Sequence, residues 1–66
     1  MVVQINGEQR DLPNDVTAAK LVELLGLIGQ RLAVEINEEI LPRSHFDQHR
    51  LRDGDRVEIV RAIGGG

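Results

Sequence analysis

A chain of 66 residues, 41% hydrophobic and 29% charged, is long enough for one small domain and too short for two. Leu, Ile, Val and Phe supply 22 of the 66 residues, too many for the low-hydrophobicity signature of disorder, yet a core of this size leaves no room for a deep enclosed active site. The absence of cysteine excludes disulfides, thiolate metal sites and Cys nucleophiles, while a net charge of −3 and a single aromatic residue argue against a nucleic-acid binder.

The chain opens with two short strand-like runs, Val2 to Ile5 and Glu8 to Leu12. Between them stands Asn6-Gly7, a dipeptide that tolerates the positive φ angles of a tight hairpin turn. Pro13-Asn14-Asp15 breaks the second run. Val16, Leu21, Leu24 and Leu25 then recur at helical spacing, which predicts a helix from Ala18 to Leu25 with Thr17 or Asp15 as its N-cap and Gly26 at its left-handed end. Leu32 to Asn37 alternates as a half-buried strand, with Val34 and Ile36 on the inner face. Glu38-Glu39 reads as a turn into a short strand at Ile40-Leu41. After Pro42, Ser44 is placed to cap one helical turn running through His45 to His49, and Leu51 returns to the core. Asp53-Gly54-Asp55 is a turn signal, and Arg56 to Arg61 alternates as the last strand with Val57 and Ile59 inward.

This order needs one crossover, and a right-handed one sets the first and last strands side by side and parallel. The expected fold is α+β: a β-grasp, or ubiquitin-like, mixed sheet of four to five strands on one helix. Residues 1–63 form the domain, and Gly64, Gly65 and Gly66 form a flexible C-terminal tail.

Few residues offer chemistry of their own. His45 and His49 lack a third metal ligand, so no metal site is expected. Asp53, Asp55, Glu38 and Glu39 are assigned to turns, and phosphate-loop, dinucleotide, HExxH and nucleophile-elbow motifs are missing. A glycine-only terminus is commonly a plain mobile end. It also suits threading into a narrow channel of a partner, where the Gly66 carboxylate meets an activated phosphate. Alternation turns Val60 outward, and with Ala62 and Ile63 before the tail it marks a candidate docking patch; Val2 lies on the same outer face. Single exposed aliphatics are also ordinary on any surface. No run approaches the roughly 18 apolar residues of a membrane span, and the N-terminus lacks the features of a leader. A cytoplasmic module, monomeric when free, without nucleic-acid or membrane partners, is expected.

The Asn6-Gly7-Glu8 hairpin, the helix from Val16-Thr17 to Leu24-Leu25, and Ala33-Val34-Glu35-Ile36-Asn37 together resemble the ThiS family of sulfur carriers. The run from Leu51 to Val60 around Asp53-Gly54-Asp55 and the glycine terminus complete the likeness, which spans essentially the whole chain. Glu38 stands at a turn position where the family frequently has Gly, and three terminal glycines stand where two are the shared minimum.

The resemblance implies a carrier rather than an enzyme, with no cofactor of its own. Its Gly66 carboxylate would be adenylated by a ThiF-like adenylyltransferase using ATP and Mg, then converted to a thiocarboxylate with sulfur from a cysteine desulfurase. A ThiG-like thiazole synthase would take that sulfur into the thiazole ring of thiamine. Sulfur carriers for molybdopterin or tRNA thiolation and ubiquitin-like protein modifiers share this fold and ending, and an RNA-binding β-grasp module is a further class, disfavoured by charge.

Overall fold

The computed structural model describes residues 1–61. Strand β1 (Val2–Ile5) turns at Asn6-Gly7, whose φ angles of 51° and 83° match a two-residue type I′ hairpin, and returns antiparallel as β2 (Glu8–Asp11). The second strand ends one residue before the expected Leu12, whose N–H donates to the Met1 carbonyl.

Helix α1 (Ala18–Leu24) is held at both ends by named groups. Thr17 Oγ1 accepts the Lys20 N–H, and the carbonyls of His49 and Phe46 accept those of Ala18 and Ala19, so the loop that follows β4 closes over the helix N-terminus. At the other end Gly26, at φ 73°, donates to Glu23 O while Leu27 donates to Val22 O, the paired bonds of a Schellman cap. The buried helical stripe is Ala18, Leu21 and Val22, with Leu25 packed beside the core. Leu24, expected inward, is 51% exposed because it lies off that stripe.

Strand β3 (Leu32–Ile36) and strand β4 (Glu39–Leu41) form a second hairpin. Its turn is Asn37-Glu38, with φ angles of 53° and 71°, rather than Glu38-Glu39; Glu39 already pairs with Ile36. The segment after Pro42 also differs from expectation. A 3₁₀ turn covers Arg43–His45, follows a fixed-φ proline and has no side-chain cap, so Ser44 lies inside the turn rather than capping one. His45 O then accepts from Gln48 and His49, which makes a second turn.

Strand β5 (Arg56–Arg61) occupies the middle of a five-stranded sheet of order β2-β1-β5-β3-β4, parallel to β1 and antiparallel to β3. Val3, Ile5, Val34, Ile36, Val57 and Ile59 face inward and meet Val16, Leu21 and Leu51 in one core. The mixed sheet on a single helix is the β-grasp fold. No helix among the described residues is long and apolar enough to cross a membrane.

Candidate functional site

Gly64, Gly65, Gly66, Ala62 and Ile63 lie outside the described residues; the structure describes the platform from which they continue. That platform is the C-terminal end of β5. The last described residues are paired with β3: Val60 with Ala33, and Arg61 with Leu32. Val60 points to the outer face and is 61% exposed, as alternation requires.

The outer face holds a second aliphatic that the sequence reading passed over. Ile40, 75% exposed, pairs with Glu35, and Glu35 pairs with Glu58, so Ile40 and Val60 share one side of the sheet, with Ala33 beside Val60 and Glu35 between Ile40 and Glu58. Counting alternation outward from Val34 through the register of β4 would have found it. Val2, also on this face, sits near the far end of β5, since its neighbour Gln4 pairs with Arg56. Beside the tail root, Arg61 Nη1 donates to Gln30 Oε1 at 3.0 Å and Arg43 Nη2 to the Gln30 carbonyl at 3.1 Å, which ties the loop before β3 to the end of β5.

Two asparagines fasten β5 from opposite flanks. Asn37 Oδ1 accepts the Arg56 N–H at 2.9 Å, and the Asn37 N–H donates to the Arg56 carbonyl at 2.7 Å. Asn6 Oδ1 accepts the Ile59 N–H at 2.8 Å, while Asn6 Nδ2 donates to the Ile59 carbonyl at 3.2 Å. Asn6 was legible as a turn former and Asn37 was read as the end of a strand; the bonds of neither to β5 were legible.

The remaining polar residues serve the fold. Asp53 Oδ1 accepts the Val2 N–H at 2.7 Å, and Asp55 accepts from Arg52 N and Asn37 Nδ2, as their assignment to the turn required. Glu38 reaches Arg56 at 3.3 Å on the surface. His45 and His49 line an open groove of about 870 Å³ with Leu41, Pro42 and Arg50. Among the described residues no three His, Asp or Glu side chains converge as a metal ion would require.

Against known proteins, the sequence model of the ThiS family matches residues 3–66. The chain belongs to the ThiS family. It thereby stands among the sulfur carriers of thiamine biosynthesis. The sulfur carrier protein ThiS of Thermus thermophilus is 37% identical over 65 residues, covering 98% of this chain and 100% of that protein. The crystal structure of a thiamine biosynthesis protein (ThiS) from Geobacter metallireducens superposes with a TM-score of 0.86 at 30% identity, covering 100% of both chains. A thiazole synthase of Paramagnetospirillum magneticum is 44% identical over 66 residues, and there the chain spans only 20% of the relative's length. ThiS membership rests on the whole chain, since the family match runs from β1 through the glycines.

Proposed function

We propose that Gly66 carries sulfur as a thiocarboxylate for the thiazole ring of thiamine. The observation that carries this reading is the family match, which extends through Gly66 itself. A ThiF-like adenylyltransferase supplies the ATP and Mg, and the Gly66 carboxylate attacks the α-phosphorus and expels pyrophosphate. Sulfur at the oxidation level of sulfide, freed from a desulfurase persulfide by a thiol, then attacks the acyl carbon and displaces AMP. The chain contributes no side-chain catalyst and holds no cofactor: glycines without β-carbons give the reach, and the adenylate gives the leaving group. A ThiG-like synthase accepts the sulfur, a pairing supported by the thiazole synthase that contains a stretch similar to this chain. Val60, with Ala33 and Ile40, forms the described part of the docking strip; Ala62 and Ile63, the other docking candidates, lie outside the described residues. The free chain is a cytoplasmic monomer in this reading.

The test is release of pyrophosphate from ATP by a ThiF-like enzyme in the presence of the chain. Deleting Gly65 and Gly66, or adding one residue after Gly66, abolishes that release while the melting temperature stays near that of the parent. Release that survives the deletion contradicts the reading.

A further inference from the structure

Strand β1 is shorter than the strand it supports. It ends at Ile5, where Asn6-Gly7 turns out of the sheet, whereas β5 continues to Arg61. Their parallel pairing covers only Gln4↔Arg56 and Ile5↔Val57, and the Asn6 N–H closes it by donating to Val57 O at 2.9 Å. One step further along β5, the N–H and C=O of Ile59 face the flank that β1 has just left. The side chain of Asn6 takes both, standing in for the peptide group that a longer β1 would have supplied. A primary amide is suited to this because it carries an acceptor and a donor on one rigid plane. Asp would keep the acceptor but set a charged oxygen against the Ile59 carbonyl, and Gly would supply neither group.

Asn6 is therefore the last described fastening of β5 on its β1 flank. Beyond it, Val60 and Arg61 are paired on the β3 flank alone. From this we infer that Asn6 is a positioning residue for the tail: by clamping Ile59 it fixes the direction in which β5 leaves the sheet and the presentation of Val60 to the activating partner. The inference rests on the carrier reading above, and Asn37 supplies an internal control. It also fastens β5, at Arg56, from the other flank and at the opposite end of the strand, with its side-chain oxygen and its backbone N–H. Both asparagines have φ near the left-handed region, at 51° and 53°, so replacement by Gly keeps either turn while removing its side-chain amide.

The experiment compares the full chain with N6G and N37G. Hydrogen exchange at the Ile59 amide is expected to quicken roughly tenfold in N6G, as loss of a fastening of this kind implies. With a ThiF-like enzyme and ATP, N6G raises KM for the carrier by about fivefold or more with kcat nearly unchanged, the pattern of lost binding presentation rather than lost chemistry. N37G, despite a comparable loss in melting temperature, leaves KM at the parent value. Equal KM in N6G and the parent, or an equal rise in N6G and N37G, overturns the positioning role. A parent chain that is never activated overturns the carrier reading and the positioning role together. The clamp itself is then judged by exchange alone, and an Ile59 amide as protected in N6G as in the parent refutes it.

Discussion

Glu38 sits at φ 71°, a left-handed conformation that costs a side chain with a β-carbon about 1–2 kcal/mol. Gly pays no such strain, but it gives back about 0.4–1 kcal/mol through the freer unfolded chain. The Glu38–Arg56 ion pair is exposed on both sides and contributes little to offset the difference. Glu38→Gly is therefore expected to stabilise the domain by about 0.5 kcal/mol, read as a rise in the urea midpoint with an unchanged slope; a fall would mean that the turn or the ion pair is worth more than this balance allows. The β1–β2 turn shows what single residues disclose in a sequence. Asn6-Gly7 announces a hairpin because the preference is local, carried by two adjacent residues. The bonds from Asn6 to Ile59 join groups 53 positions apart, and no short-range pattern records them.

At the scale of elements, strand alternation was the dependable signal. Val34, Ile36, Val57 and Ile59 all point inward as their spacing required, because a period of two leaves little freedom once one face is buried. Ile59→Ala is expected to cost about 2–4 kcal/mol, a large share of the stability of so small a domain. Leu24→Ala, on the exposed side of α1, is expected to stay within about 0.5 kcal/mol. Thermal or urea unfolding of the two variants checks both, and similar losses would mean that the helix face is misassigned. The misreading of Leu24 has a simple cause. In a seven-residue helix, Leu at 21, 24 and 25 and Val at 22 fit more than one stripe, and the choice among them is made by packing against the sheet. The Arg43–His45 turn was displaced for a related reason: Phe46 and His49 offer their carbonyls to the first turn of α1, a tertiary demand that Ser44 as a local cap did not reveal.

Considered as a whole, the described molecule is a five-stranded sheet on one helix, and the proposed chemistry belongs to the glycines that follow it in sequence. The described chain ends on the central strand of the sheet, whose outer face bears Val60, with Ile40 two strands away. Val60→Asp is expected to leave the melting temperature nearly unchanged, since the side chain is exposed, and to raise the KM of the carrier for its activating enzyme by about tenfold. An unaltered KM would remove Val60 from the docking strip. The fold and the parallel pairing of its first and last strands were legible because hydrophobic period, turn dipeptides and the single crossover all favour one arrangement. The glycine terminus was legible as a motif, while the chemistry proposed for it came from the family resemblance and not from any side chain of this chain. The central claim, sulfur at Gly66, is tested most directly by the intact mass of the chain before and after incubation with ATP, a ThiF-like enzyme, a cysteine desulfurase and cysteine. A mass gain equal to one oxygen replaced by sulfur, confined to the C-terminal glycine, is the expected result; an unchanged mass with partners shown to be active on another ThiS protein would contradict it.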